Sequence, residues 1–409
     1  MSGGLAGDIE KAVTVSERRA MIELINGKII TDRILEGKKL WFENGRIEAV
    51  TDRDFPGARM IDVHGAYIAP GFIDIHTHGG GGYDFMDGTV EAVKQAASIH
   101  LHHGTTTLLP TTLSYGISSI EKAVQQVKEA GLDENLPNLP GVHLEGPYFS
   151  PQQAGAQNPA YITAPAESDY KGIVERAEGF IKRWSYAPEL KGAGEFCDYL
   201  IRKGISPSIG HSNAEYADVL DAYERGCRMV THLYSGMSTI VRKNAYRVPG
   251  VLESAYLLDD MVAEVIADGC HLPPELLRLA YKIKGPDKIC LITDSMRGAG
   301  MPDGPSILGR IQDGMPCIIE DGVAKLTDRS AFAGSVATFD RLVRVFHKEA
   351  GIDLADCIKM ASTTPARMIG LGGSKGKLQQ GYDADIVVFD EDIHVKMVFF
   401  KKKIIQNIF

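Results

Sequence analysis

Two histidines spaced two apart close an apolar, β-rich run, Pro70-Gly71-Phe72-Ile73-Asp74-Ile75-His76-Thr77-His78. Side chains alternate along a strand, so His76 and His78 point to the same side and their imidazoles can converge on one atom, as two metal ligands must. Four further apolar runs stop on residues that can bind a metal or carry a proton. Glu145 follows Val142-His143-Leu144, His211 follows Pro207-Ser208-Ile209-Gly210, His232 follows Met229-Val230-Thr231, and Asp294 follows Cys290-Leu291-Ile292-Thr293. One such residue is ordinary loop punctuation. The whole set exceeds what solvation of strand ends demands and predicts a divalent-metal site. Zinc accepts His and carboxylate ligands and lowers the pKa of bound water to about 7, and a nearby Asp can take the proton as that water attacks.

The remaining histidines carry ordinary readings. His100, His102 and His103 sit in the last turn of a predicted helix ended by Gly104, where they complement the helix dipole or pack. His143 shares a face with Glu145 but lies deeper in its strand, so it is expected to support the ligands rather than bind metal. His64, His347 and His394 are expected at the surface. The run Gly79 to Gly82 has no clear helix start after it and reads as a loop passing close to the metal site rather than a phosphate cradle.

The elements that must position these residues follow from periodicity. Strand-like runs at Thr105 to Pro110, Gly141 to Glu145, Ile205 to His211, Arg228 to His232, Val262 to Ala267 and Lys288 to Asp294 alternate with amphipathic helical patterns. One helix is predicted from a capping box, Ser118-Ser119-Ile120-Glu121, with Ile120, Ala123, Val124 and Val127 at helical spacing and Gly131 at its end; another carries Phe339, Leu342, Val343 and Phe346 and ends at Gly351. Strands alternating with helices over some 300 residues imply an α/β chain and favour a (β/α)8 TIM-like barrel, whose chemistry lies at the C-terminal ends of its strands. Before it, Asn26-Gly27 and Asn44-Gly45 are hairpin signals among β-formers, and after it Ala384 to Phe389 and Met397 to Phe400 return to strand chemistry. The expected organisation is a loosely ordered segment 1–20, a first β-sandwich part 21–66, the barrel 67–372 and a second sandwich part 373–409, the two ends forming one small β-sandwich.

Composition limits the partners. With 44 Lys plus Arg against 53 Asp plus Glu over 409 residues, and no long charge blocks, nucleic acid and anionic membrane surfaces are poor partners, which leaves a small molecule. Six scattered cysteines without paired spacing read as free thiols in a reducing compartment. Residues 1–19 hold Asp8, Glu10, Lys11 and Glu17 and no long apolar core, so they read as neither signal peptide nor membrane span, and a cytoplasmic location is expected.

From about Leu24 to the last strands, the chain resembles the N-acetylglucosamine-6-phosphate deacetylase family of the amidohydrolase superfamily. The resemblance rests on Pro70 to His78, His143-Leu144-Glu145-Gly146-Pro147, Gly210-His211-Ser212, Thr231-His232-Leu233-Tyr234, Ala267-Asp268-Gly269-Cys270-His271 and Ile292-Thr293-Asp294, with support from Ala361 to Ala366 and Gly381 to Asp385. It implies hydrolysis of the acetamide of an N-acetyl amino-sugar 6-phosphate to the free amine and acetate. By the same resemblance Glu145, His211 and His232 hold the principal metal, and Asp294 is the general base that later protonates the leaving amine. His76 and His78 match members that keep a second metal; from the usual geometry of two-metal hydrolase sites, a second cation here is expected to be bridged to the first through Glu145 at roughly 3.5 to 4 Å. One or two cations are thus expected, zinc first, iron or manganese otherwise. Ala156, Gln157, Ser235, Gly236, Arg247, His271, Phe332, Ala333 and Gly334 match substrate contacts. Arg247 suits a phosphate that it reaches in the neighbouring subunit, which implies a homodimer, and His271 suits a sugar hydroxyl. Two departures stand out: Ser235-Gly236-Met237 where the family commonly reads Asn-Ala-Met, and Gln157 where it often carries a carbonyl-polarising His. The other readings are an epimeric substrate (N-acetylgalactosamine 6-phosphate), a related hydrolase of a cyclic amide or N-acyl amino acid, which leaves Arg247 without a task, and a non-catalytic scaffold, against which the complete ligand set counts.

Overall fold

The computed structural model describes residues 21–408. The expectation for residues 1–20 lies outside them. Eight parallel strands form the central sheet: β1 (Phe72–Thr77), β2 (Thr105–Thr112), β3 (Val142–Glu145), β4 (Ile181–Tyr186), β5 (Ser206–Ile209), β6 (Met229–Val230), β7 (Val262–Val265) and β8 (Ile289–Leu291), each paired with the next in chain order. The ring closes between β8 and β1 through single bonds rather than a regular ladder. The Asp294 N–H donates to the His76 carbonyl (2.9 Å), and the Thr293 hydroxyl donates to the buried Asp74 carboxylate (2.5 Å). Burial raises Asp74 to about 7, outweighing the Thr293 hydroxyl and the His76 and Thr293 amides, whose hydrogen bonds pull it down.

A helix follows every strand, so the chain completes eight βα units. The first, Val90–His102, is capped by the Thr89 hydroxyl accepting from the Ala92 amide, and the second, Ile117–Ala130, buries Ile120, Ala123, Val124 and Val127. The capping box expected at Ser118 is absent. Gly116 is the N-cap, and the polar side chains have other partners: Glu121 pairs with Arg176, and the Ser119 hydroxyl accepts from Arg310.

Both chain ends meet in a small sandwich. One sheet orders strands Arg46–Thr51, Lys39–Glu43, Met21–Ile25 and Arg59–Asp62; the other orders Lys403–Asn407, Val395–Phe400, Ile386–Phe389, Tyr67–Pro70, Lys28–Ile30 and Ile34–Leu35. Leu24, Phe42, Ile47, Ile68, Val388 and Phe399 fill the space between them, with the Phe42 and Phe399 rings 4.4 Å apart. Residues 67–70, placed with the barrel on sequence, therefore pair inside the sandwich, and the barrel starts at β1. Asn44-Gly45 makes the expected hairpin, both residues having positive φ as a tight turn between twisted strands requires. Asn26-Gly27 does not. The strands it joins pair in different sheets, and Gly27 is there because a Cβ would come within 2.5 Å of Ile68.

Between β8 and its helix lies a four-stranded antiparallel sheet (Gly304–Leu308, Met315–Glu320, Val323–Leu326, Phe332–Ser335) that sequence patterning did not indicate. Buried Arg297 ties it down by pairing with Asp87 (2.8 Å) and donating to the carbonyls of Gly82, Ile307 and Gly309. The six cysteines are free thiols, and only Cys270 is not fully buried. Among the described residues, no helix is long and apolar enough to cross a membrane.

Candidate functional site

At the C-terminal mouth of the barrel, the strand-end residues converge on two adjoining groups: His76, His78 and Asp294, and Glu145, His211 and His232. The backbone turns sharply to bring them there. His211, His232 and Asp294 take left-handed φ values of 47°, 27° and 46°, conformations that cost roughly 1–3 kcal/mol each and collect at functional sites. Each lies just beyond the last paired residue of its strand, where the reversal swings the side chain over the barrel axis.

The hydrogen bonds determine what these side chains present to one another. His211 Nδ1 lies 2.8 Å from the Gln153 carbonyl, His232 Nδ1 3.1 Å from the Ser235 carbonyl, and His76 Nδ1 3.2 Å from Glu264 Oε2. Carbonyl and carboxylate oxygens only accept, so all three imidazoles donate from Nδ1 and turn the Nε2 lone pair inward. Yet His211 and His232 Nε2 are 3.2 Å apart and lie 3.2 and 3.0 Å from Glu145 Oε1. His76 and His78 Nε2 are 3.3 Å apart and lie 3.3 and 3.1 Å from Asp294 Oδ1. Glu145 joins the groups, its oxygens 3.5 Å from His76 and 3.4 Å from His78. His78 Nδ1 is buried without a hydrogen-bond partner among the described residues. So many acceptors facing inward repel one another unless protons or cations sit between them. The donor set is nitrogen and carboxylate oxygen throughout, which fits divalent zinc, iron or manganese.

Electrostatics agree. Burial pushes the Glu145 carboxyl up, but the surrounding imidazoles overcome it and hold it well below the usual range. Asp294 is likewise penalised by burial yet brought down to about 2 by His76 and His78, while His232 is raised to about 9, Glu145 outweighing burial. Protons and a cation compete for the same lone pairs, so metal binding should weaken on acidification. Saturating zinc should raise the melting temperature of chelator-treated protein by several degrees, since a ligand at a thousand times its Kd adds about 4 kcal/mol. A melting temperature indifferent to chelator and zinc would mean that no cation is held here.

A cavity of about 250 Å³ opens over the cluster, lined by Glu145, His78, His211, His232, Asp294 and the expected contacts Ala156, Gln157, Ser235, Gly236, His271, Phe332 and Gly334. His76 lies beneath them, fully buried. His271 donates from Nδ1 to Asp268 (2.8 Å), leaving Nε2 as an acceptor, and its ring packs 4.8 Å from Phe332. Ala333 is buried behind Phe332 and does not line the cavity. Arg247 is not brought to it either. It sits on an exposed hairpin (Val241–Lys243 with Tyr246–Val248), its guanidinium bonded to the Ala245 carbonyl.

Both sequence departures acquire physical reasons. Gln157 does not face a substrate carbonyl through a free amide: its oxygen accepts from the Ser114 amide (2.8 Å), and its nitrogen donates to Glu145 Oε2 (2.6 Å). Gly236 has φ 53° and presses on His211, where a Cβ would come 2.9 Å from Nδ1. His143 lies outside both groups, bonded to the Ser185 hydroxyl (2.7 Å), and His100 packs under the glycine loop with Nε2 2.9 Å from the Gly79 carbonyl. The loop's amides donate to carbonyls of Ser295, Ala299 and Arg297, so they are not free to cradle an anion. Sequence reading missed Glu264 and Arg183. The one available signal was a charged residue inside an otherwise apolar run, Val262-Ala263-Glu264-Val265.

Comparison with known proteins gives one consistent family. The amidohydrolase family model matches residues 67–408. The chain is 33% identical over 360 residues to the N-acetylglucosamine-6-phosphate deacetylase of Lysinibacillus sphaericus, covering 88% of this chain and 90% of that protein. It is 31% identical over 334 residues to the N-acetylgalactosamine-6-phosphate deacetylase of Escherichia coli O157:H7, covering 81% and 86%. A mutant N-acetyl-D-glucosamine-6-phosphate deacetylase from Mycobacterium smegmatis, solved in complex with N-acetyl-D-glucosamine-6-phosphate, superposes with a TM-score of 0.86 at 28% identity, covering 95% of this chain and 100% of that one.

Proposed function

The chain belongs to the amidohydrolase family, and from that premise we infer that it is a metal-dependent deacetylase converting N-acetyl-D-glucosamine 6-phosphate to glucosamine 6-phosphate and acetate. The observation that carries this reading is the inward-facing set of imidazole lone pairs and two carboxylates at the floor of a sugar-sized cavity. Glu145, His211 and His232 would hold one divalent cation, and His76, His78 and Asp294 a second. When bound, such cations act as Lewis acids toward the acetyl carbonyl and lower the pKa of water toward about 7.

The chain's own groups do the rest. Asp294, held ionised beside His76 and His78, takes a proton from the attacking water and returns it to the departing sugar nitrogen. Gln157 fixes Glu145 by its short hydrogen bond, so the carboxylate keeps its orientation. His271 accepts a sugar hydroxyl at Nε2, and Phe332 offers a flat apolar face beside it. Arg247 supplies the phosphate contact in a neighbouring copy, which makes the working unit a homodimer. Support for this comes from its absence from its own cavity and from the exposed apolar side chains of its arm, Ile240, Val241 and Tyr246.

Acetate release from N-acetylglucosamine, N-acetylgalactosamine and N-acetylmannosamine, each with and without a 6-phosphate, tests the reading. The 6-phosphate of N-acetylglucosamine should be hydrolysed fastest, and removing the phosphate should cost roughly ten- to a hundredfold, the worth of a bidentate arginine contact. A preference for the galacto epimer would move the assignment to the activity named for the Escherichia coli relative. Turnover of a cyclic amide with none of the sugars would overturn it.

A further inference from the structure

Behind His76 lies a buried ion pair with no place in the reaction just described. Glu264 on β7 presents Oε2 to His76 Nδ1 (3.2 Å) and to the His232 backbone amide (3.3 Å), and its Oε1 pairs with Arg183 of β4. Both side chains are fully buried inside the barrel. Arg183 is anchored in turn, donating to the Ile75 carbonyl (3.3 Å), the Ser208 hydroxyl (3.0 Å) and the Thr231 hydroxyl (3.1 Å). Enclosing two charges is expensive and seldom improves stability over a packed apolar pair, so the arrangement calls for a task.

We propose that Glu264, seated by Arg183, is a positioning residue that sets the tautomer of His76 and thereby the hold of the His76–His78–Asp294 group on the second cation. The inference rests on the two-cation reading of the site. His76 alone among the ligands takes its Nδ1 partner from a carboxylate side chain. His211 and His232 take theirs from backbone carbonyls, and His78 Nδ1 has none among the described residues. The second group's geometry therefore depends on a replaceable side chain, whereas the first group's is built into the main chain.

An isosteric change separates tautomer control from packing. In Glu264→Gln the amide has one acceptor and one donor end. The charged guanidinium outcompetes the long contact from the His232 backbone amide (3.3 Å) for the oxygen, which turns the NH2 toward His76. That donor requires a lone pair on Nδ1, so the proton moves to Nε2 and blocks the atom that must face the cation. Adding Arg183→Met frees the amide to rotate and accept from Nδ1 again. The Ser208, Thr231 and Ser185 hydroxyls stay bonded to one another at 2.7–2.8 Å, so the double variant keeps its local network.

Nitrogen-15 spectra of histidine-labelled, metal-free protein report the tautomer directly, and zinc titration by calorimetry reports both affinities. Expected in wild type is an Nδ1–H His76; in Glu264→Gln an Nε2–H His76, with the second zinc weakened roughly ten- to a hundredfold and the first unchanged; and in the double variant recovery of both. An Nδ1–H His76 in the folded single variant, or a second zinc bound as in wild type, would overturn the proposal. A wild type that takes one zinc would instead remove the two-cation reading, and the spectra would still decide whether Glu264 sets the tautomer. Should Glu264→Gln not fold, the electroneutral double variant decides alone, since the proposal requires it to keep the Nδ1–H form and two zinc ions.

Discussion

Asp294→Asn should lower turnover by at least roughly a hundredfold while the Glu145–His211–His232 group keeps its cation, because an amide of the same shape cannot take up a proton. The substitution suits the position. Asp294 has φ 46°, a left-handed conformation that Asn tolerates better than almost any other side chain, so the variant should fold where alanine would add strain. It also removes a negative charge 3.1 and 3.3 Å from the His78 and His76 Nε2 atoms, so the second cation should bind less tightly. The two effects separate on titration. If Asp294 served only as a ligand, excess zinc would restore the rate; as the proton acceptor, it leaves the variant slow at any zinc concentration. Near-normal turnover with the metal content verified would remove Asp294 from the proton-transfer role.

The candidate ligands that the structure gathers into two groups could be read from sequence because each ends a local apolar run, and the polarity contrast at a strand end does not depend on distant partners. The residues behind them could not. The run Ile181-Lys182-Arg183-Trp184-Ser185-Tyr186 was not recognised as β4 because a buried arginine in the barrel interior breaks the expected pattern. Glu264 is legible as an oddity in β7, but its meaning depends on Arg183 and His76, which are 81 and 188 residues away. The sheet at 304–335 escaped because its strands are half-exposed and carry little apolar alternation. At Asn26-Gly27 the hairpin signal misled because pairing is non-local: Asn26 alone takes a positive φ, the flanking strands leave for different sheets, and a local signal cannot say which partner a strand will take. The capping box failed the same way: the helix starts one residue before Ser118, and Glu121, the box's returning carboxylate, is taken by an arginine 55 residues distant.

Two damaged proteins should rescue each other if Arg247 acts across a subunit boundary. Arg247→Ala alone should weaken turnover of the phosphorylated substrate roughly ten- to a hundredfold and leave the unphosphorylated sugar nearly unaffected, the loss of a charge-assisted contact to phosphate. Folding should not suffer, because the side chain is exposed and, among the described residues, its hydrogen bond goes to the Ala245 carbonyl of its own turn. When Arg247→Ala and Asp294→Asn chains are mixed and allowed to exchange, half of a random population is mixed dimers. In each, the chain lacking Arg247 keeps Asp294 and receives the guanidinium from its Asp294→Asn neighbour, so about one site in four is complete. Activity toward the phosphorylated sugar should then rise to about a quarter of wild type, far above the mean of the separate variants. No rescue after demonstrated exchange would place the phosphate contact within one chain. The exposed hairpin would then have to fold back on its own cavity, and a disulfide or crosslink confined to one chain between the 241–248 arm and the pocket rim would capture that state.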